Sequence, residues 1–230
     1  MNSRQTFILY PLFFSSMAPI HFPDPREIIG DIVFVGGALT TENLLRAYRS
    51  GIFPWPYEGW LPWVSPEERA ILEFKDLHIP RSLRKIQRRT PFTITIDKAF
   101  ESVINACALV PRAHESGTWI TPQMIRAYIE LHQLGHAHSI EAWEGDALVG
   151  GLYGVDAGGA FSGESMFYLR PYASRLAFLH LIEHLKSRGL EWIDVQMMTP
   201  HMGVLGAKEI SRDEFLKRLN VSLKKGLQLF

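Results

Sequence analysis

The chain has a single cysteine in 230 residues, which excludes an internal disulfide. Cys107 lies in the apolar run INACALV, where a buried structural thiol is the plain reading, since no activating base stands beside it. So little cysteine suits a reducing cytosol, and a cytoplasmic location is expected. Net charge is missing too: 24 Lys and Arg balance 24 Asp and Glu. Any affinity for nucleic acid must therefore come from local clustering rather than from overall charge. No apolar run reaches the ~18 residues of a membrane span, so no membrane partner is expected. Phosphate loops are absent in recognisable form, because VGGALT (35–40) lacks the lysine of a nucleotide-binding loop and VGGLYG (149–154) lies inside a predicted strand. The lack of a G-x-S-x-G elbow weakens hydrolase readings. Internal repeats and low-complexity segments are also absent.

What is present is a soluble globular composition, 47% hydrophobic and 21% charged, long enough for one large core or two unequal domains. Residues 1–20 hold one positive charge, a short apolar run and small residues, which resembles a weak secretion signal. Pro11 inside the run and the lone cysteine weigh against it, and the segment is expected to stay as extended chain packed on the body. Residues 20–76 are rich in Pro, Gly and Trp, with one helix over TTENLLRAYRSG started by Thr40 or Thr41 and stopped at Gly51. A small loop-rich N-terminal domain over residues 1–70 and a larger domain over 71–230 are expected.

In the larger part FTITID (92–97) alternates as a strand and KAFESVINACAL reads as a helix. Thr121-Pro122 starts a second helix that runs to Gly135. HAHSIEAWE, ALVGGLYGV and AFSGESMFY predict an antiparallel three-strand meander. ASRLAFLHLIEHLKSRG is then a helix, WIDVQM a strand, and SRDEFLKRL a helix with Ser211 and Glu214 as a capping box. This order predicts an α/β (α+β) fold, a mixed sheet flanked by helices.

Asp194 and Gln196 alternate onto one face of WIDVQM, and buried polar groups need partners. They lie on an edge face turned to water, form a structural hydrogen-bond pair, or are part of a site. In FSGESMF the alternation puts Phe161, Gly163, Ser165 and Phe167 on one face and Ser162, Glu164 and Met166 on the other. A carboxylate beside a methionine calls for a cation, either an arginine of the fold or a ligand. Glu164, Asp194 and Gln196 are expected to line one cleft. RSLRKIQRR carries five cations in nine residues, Arg81, Arg84, Lys85, Arg88 and Arg89, with no acid among them. On a helix they share one arc opposite Leu83 and Ile86, a basic stripe about 12 Å long that suits phosphates or is simply a solvated face. His180, Glu183 and His184 match H-x-x-E-H, yet no further acidic ligand suggests itself. His132, His136 and His138 lack a cysteine or carboxylate partner in sequence. No metal is expected.

Taken together these residues resemble the leucyl/phenylalanyl-tRNA protein transferases. The matching pieces, in the family's order, are FPDP (22–25), GIFPW (51–55), WVSPEER (63–69), RSLRK (81–85), GTWIT (117–121), AYIELH (127–132), VGGLYG (149–154), FSGESMF (161–167), Ala173-Ser174, IDVQ (193–196) and LGAKEI (205–210). The resemblance implies a GNAT-like acyltransferase fold and transfer of Leu or Phe, with Met as a further donor, from aminoacyl-tRNA to the N-terminal Arg or Lys of acceptor proteins, marking them for degradation. It implies Asp194 and Gln196 as the catalytic pair and Glu164 as the group that meets an ammonium. It also implies Trp119, Tyr128, Leu152, Phe161, Ser165 and Met166 around the aminoacyl pocket, Trp63 on the terminal adenosine, and Arg81, Arg84, Lys85, Arg88 and Arg89 on the tRNA. No cofactor is expected, and the protein is expected to act as a monomer. Departures from the family pattern are Gly36-Gly37-Ala38-Leu39 for GGDL, SPEER for SPDPR, Ala173-Ser174-Arg175 for ASK, and a longer segment before His21. The competing functions are an acetyl-CoA dependent N-acetyltransferase, against which MFYLRPYASR lacks the Gly-rich cofactor turn, and a non-catalytic RNA-binding module using the basic stripe alone.

Overall fold

Hydroxyl caps and glycine turns divide the chain into short elements, and the computed structural model describes them over residues 18–109 and 118–230. The expected packing of the N-terminal segment up to residue 17 lies outside the described residues. Next in the chain are β1 (Ile32–Val35), α1 (Thr41–Arg49), β2 (Phe53–Pro54) and β3 (Pro62–Val64). The Thr40 side chain accepts from the Asn43 amide to start α1, and Gly51 ends it at a φ of +74° that favours glycine. Then come β4 (Glu68–Glu73), α2 (Arg81–Gln87), β5 (Thr93–Ile96), α3 (Phe100–Leu109) and α4 (Pro122–Gln133), the last capped by Thr121 as expected. β6 (Ala137–Glu144), β7 (Ala147–Asp156) and β8 (Phe161–Tyr168) form the antiparallel meander. α5 (Ala173–Ser187), β9 (Trp192–Gln196), α6 (Pro200–Val204), β10 (Lys208–Ser211) and α7 (Arg212–Lys225) complete the order. Ser211 caps α7 by accepting from the Glu214 amide, but the Glu214 carboxylate is held by Arg218 one turn on rather than closing a capping box.

Seven strands form one mixed sheet in the order β10-β4-β9-β8-β7-β6-β5, and β1, β3 and β2 form a small antiparallel sheet. Among the described residues only β8 and β9 pair in parallel, joined through α5 as a parallel connection requires. The architecture is the expected α+β mixture, yet β4 and β10 were not anticipated. ERAILE places charged residues on either side of Ala70, Ile71 and Leu72 and shows no period of two, because Arg69 to Glu73 are all buried and β4 is covered on both faces. β4 also crosses the expected division at residue 70: Glu68, Arg69 and Ala70 pair with β10 just as Ile71 does.

Burial on the two faces of the sheet is shared among different helices. On one face Tyr48 and Phe53 of the N-terminal part pack in the same cluster as Val103, Met124, Tyr128 and Tyr153. On the other, Leu152, Phe161 and Ile193 pack beneath Leu176, Ala177 and Leu181 of α5. Each such side chain contributes about 1.5–3 kcal/mol on leaving water. Arg212, at the start of α7, is buried and donates to the carbonyls of Pro25, Ile28 and Gly30, which ties the N-terminal segment to the large sheet.

The expected alternation along FSGESMF fails at one point. Tyr153 opposes Ser165 while the next residue, Gly154, opposes Gly163, so Glu164 is the extra residue of a β-bulge. A one-residue slip exchanges faces, and so Phe161 and Met166 pack toward α5 while Phe167 packs toward α3 and α4. Phe161 and Phe167 do not share a face, and neither do Glu164 and Met166. Gly154 permits the slip, since a Cβ there would lie 2.4 Å from the Ser162 carbonyl oxygen and 2.5 Å from the Phe161 ring.

At the far end of β4, Glu73 takes Lys75 at 2.7 Å, Lys208 at 2.9 Å and Arg218 at 2.6 Å. These three cations hold its carboxyl down to about 2. Folding thus favours the ionised form, and the contribution is complete above the ordinary carboxylate value of 4.5 and lost as pH falls through about 2. Glu73→Gln is expected to cost about 1–2 kcal/mol at pH 7, or roughly 2–8 °C in Tm. Thermal melts at successive pH values should show that gap closing between pH 4.5 and 2; a gap independent of pH would mean that the cluster acts through packing alone.

Candidate active site

Where β8 and β9 run in parallel, the register pairs Ser162 with Asp194. Asp194 is 2% exposed, and both of its oxygens are occupied. Arg69 donates Nε to Oδ1 at 2.9 Å and Nη2 to Oδ2 at 2.7 Å, a two-pronged ion pair between β4 and β9. Ser162 Oγ donates to Oδ2 at 2.8 Å, and the backbone amide of Gln196 donates to Oδ1 at 2.9 Å. The guanidinium is itself held between the rings of Phe53 and Phe215, 4.5 and 4.6 Å from their centroids. Arg69 Nη1 is buried with no hydrogen-bond partner among the described residues.

Gln196 ends β9 in an unusual backbone state. Its φ is +63°, and the Met197 amide donates to the Val195 carbonyl at 2.8 Å across it. That is a γ-turn of the positive-φ form, a conformation that costs of the order of 1–3 kcal/mol for a residue with a side chain. Held by Asp194 through its backbone, the 4%-exposed Gln196 turns its side-chain amide to Glu164, donating Nε2 to Oε1 at 2.6 Å.

Glu164, the bulged residue, meets that amide. Tyr128 of α4 donates to Glu164 Oε2 at 3.3 Å, and Tyr48 of α1 is hydrogen-bonded to Tyr128. No arginine, lysine or histidine pairs with Glu164 among the described residues. Burial pushes its carboxyl up to about 7, and the nearby charge of Asp194 adds to the rise, while hydrogen bonds from Tyr48, Gln196 and Tyr128 hold it back. Both tyrosine hydroxyls are raised well above their ordinary value, by burial first and then by the charge of Glu164, so they remain donors.

The three polar residues expected to line one cleft therefore meet, whereas the residues expected to surround them divide. Trp119 and Tyr128 pack on the α3–α4 face with Ser165 opposite Tyr153, while Leu152, Phe161 and Met166 pack on the α5 face. The bulge at Glu164 is the cause. Trp63 is fully buried on β3, edge-on to Phe22 at 5.0 Å and bonded through Nε1 to the Gly36 carbonyl, so it offers no face to an adenosine. Half-buried Trp55 is the more accessible indole, stacked on Trp119 at 5.1 Å.

Arg81, Arg84, Lys85, Arg88 and Arg89 are all exposed and together line a depression of about 330 Å³, with Leu83 buried beneath them. None of the five is paired with an acid among the described residues. The H-x-x-E-H motif is spent on other contacts: His184 bonds the Leu229 carbonyl and Glu183 accepts from Gln87. His132 and His138 converge on Asp97 instead, at 3.8 and 2.7 Å. No group of three or more His, Cys, Asp or Glu side chains suited to a metal occurs among the described residues.

Reasoning from sequence missed Arg69, Tyr48 and Ser162 as parts of this site. Arg69 leaves one signal, an arginine leading into the apolar stretch Ala70-Ile71-Leu72, where a charge must find a partner. Tyr48 leaves none, since a tyrosine on the apolar face of α1 reads as core.

Two family models match the chain: one described as leucyl/phenylalanyl-tRNA protein transferase, over residues 71–220, and one described as the N-terminal domain of that transferase, over residues 37–67. Glu164, Asp194 and Gln196 fall within the first, and Arg69 falls between the two. Among curated proteins, the chain is 51% identical over 205 residues to a leucyl/phenylalanyl-tRNA–protein transferase of Anaeromyxobacter sp. (strain K), covering 88% of each chain. It is 47% identical over 210 residues to the protein of that name from Pseudoalteromonas atlantica, covering 89% of each. With the one from Lawsonia intracellularis it shares 47% over 212 residues, 90% of this chain and 92% of the other.

Removing one partner of a buried ion pair strands the other, at about 3–5 kcal/mol. Arg69→Met is expected to destabilise by that amount in denaturant unfolding, and adding Asp194→Asn should recover part of the loss because no bare carboxylate then remains. A double variant no more stable than the single one would place the cost in packing against Phe53 and Phe215.

Proposed function

We propose a function that starts from one fact: this chain belongs to the leucyl/phenylalanyl-tRNA protein transferase family. It transfers leucine or phenylalanine from an aminoacyl-tRNA to the N-terminal arginine or lysine of a protein. Methionine as a further donor, a role in marking acceptors for degradation, and action as a monomer in the cytosol belong to the same proposal. The observation that carries the site is the contact between Gln196 and Glu164, made at the point where β9 turns away from β8.

The chemistry asks little of the protein. An amine attacks an activated ester, and an α-amino group of pKa about 7.7–8.0 is neutral in a minor fraction at pH 7. Holding amine and ester together supplies much of the acceleration. Asp194, with both oxygens filled, is a positioning residue: it sets the backbone of Gln196. With Nε2 given to Glu164, the Gln196 carbonyl oxygen is left to accept from the incoming amine. No cofactor enters the reaction.

The donor side chain is placed between β8 and β9 as they part beyond Ser162 and Asp194, reaching toward Met166, Leu152 and Phe161 on the α5 face. An apolar seat separates side chains differing by one methylene by only about 1–3 kcal/mol, which fits acceptance of both Leu and Phe. The basic depression of α2 takes backbone phosphates of the tRNA, and the Trp55–Trp119 stack offers an aromatic surface to its terminal adenosine.

Incubation with Leu-tRNA and a peptide beginning with arginine is expected to yield leucylated peptide, and Gln196→Ala to slow it about 10²–10⁴-fold. Absence of product from the parent protein would overturn the function. If the five cations each meet one phosphate, log affinity for tRNA should fall against log salt with a slope of about −3.5 to −4.5, flattened by reversing charge at Arg84 and Arg88. A slope near zero would remove α2 from the interface.

A further inference from the structure

We infer that Glu164 is the proton acceptor of the transfer, taking a proton from the attacking α-amino group and delivering it to the ribose oxygen that leaves. This deepens the function proposed above and rests on it. The geometry argues by elimination. A carboxamide is not a base, so Gln196 can orient the amine but cannot keep its proton. Asp194 carries two bonds from Arg69, one from Ser162 and one from the Gln196 amide, and each lone pair that would receive a proton already has a donor. Glu164 is the remaining carboxylate of the cluster, it has no cationic partner among the described residues, and the Gln196 amide that meets the amine is 2.6 Å from its Oε1. The bulge falls at this residue, and Glu164 lies on the polar face with Tyr128 while Met166 lies on the other.

The surroundings suit a base that cycles. Facing Glu164 are Tyr48 from α1, Tyr128 from α4, and Asp194 and Gln196 from β9; Arg69 from β4 is spent on Asp194. Tyr128 and the Gln196 amide donate to the carboxylate, with Tyr48 hydrogen-bonded to Tyr128 behind them, and the charge of Asp194 opposes it. With its carboxyl pushed up to about 7, Glu164 lies near the pKa of an α-amino group, where proton transfer in either direction is cheap. As the new N–C bond forms, an N–H proton passes to Glu164. The ester C–O bond then breaks and the protonated carboxyl gives that proton to the ribose oxygen. The products are an amide, a free ribose hydroxyl and the original carboxylate, with no further reactant.

The test is single-turnover transfer from pre-bound Leu-tRNA to an arginine-initial peptide across pH 5.5–9. The parent rate should rise through a limb near 7 set by Glu164 and one near 8 set by the amine. Glu164→Gln should lose the lower limb and about 10²–10⁴ in rate while tRNA affinity stays within about threefold. Tyr128→Phe removes a donor to the carboxylate and should move the lower limb to higher pH, a shift that a purely structural role would not produce; it also serves if Glu164→Gln fails to fold. A parent that transfers normally while Glu164→Gln keeps its rate, or while Tyr128→Phe leaves the limb in place, overturns the assignment of Glu164 alone. A parent that makes no product overturns the function and this inference with it.

Discussion

The buried pair of Arg69 and Asp194 holds three separate parts of the molecule in one arrangement. It joins β4 to β9, places a guanidinium between Phe53 of the N-terminal part and Phe215 of α7, and fixes the Gln196 amide through the second carboxylate bond. Two charges leave water at a cost of several kcal/mol each, repaid only when geometry is good and the remaining lone pairs are met. Here Ser162 and the Gln196 backbone meet them. The result is an acid that serves as a structural pin inside the site, and the γ-turn beyond it is kept in place by that pin.

Strain and irregularity gather where the pin acts. Within a few ångströms lie a bulge at Glu164, a positive-φ glutamine and the parallel pair of a sheet otherwise antiparallel. Each departs from the regular ladder, and together they expose polar groups that a continuous sheet would have paired. The bulge parts the carboxylate from Met166, and burial raises it to the range in which it can trade protons near neutral pH, while the tyrosines beside it hold the rise back. A β8 regular from Phe161 onward would have kept Met166 on the same face as Glu164, a methionine beside the carboxylate.

Much of the fold was legible because its signals are local. Thr40, Thr121 and Ser211 cap helices at the positions their sequence predicts, and Gly51 and Gly135 end them. The meander, α5 and β9 follow from periodicity and turns. The strands β4 and β10 did not, since one mixes charged and apolar residues without alternation and the other has four residues. In the site, Asp194, Gln196 and Glu164 could be named, but their order of duties could not. The partner of Asp194 is 125 residues away, and the aromatic residues grouped around the cleft were assigned to one face by an alternation that the bulge interrupts.

By itself the sequence determined the helices α1, α4, α5 and α7, the meander and β9 in their order, the basic cluster around α2 and the identity of the polar residues, because caps, glycine turns and hydrophobic period act over a few neighbouring residues. Tertiary structure alone decided that Trp63 is core, that Met166 and Glu164 part company, and that Asp194 is spent on Arg69. Those outcomes depend on which strand lies beside which and in what register, and register is settled by packing both faces of the sheet at once, a constraint that no single segment carries.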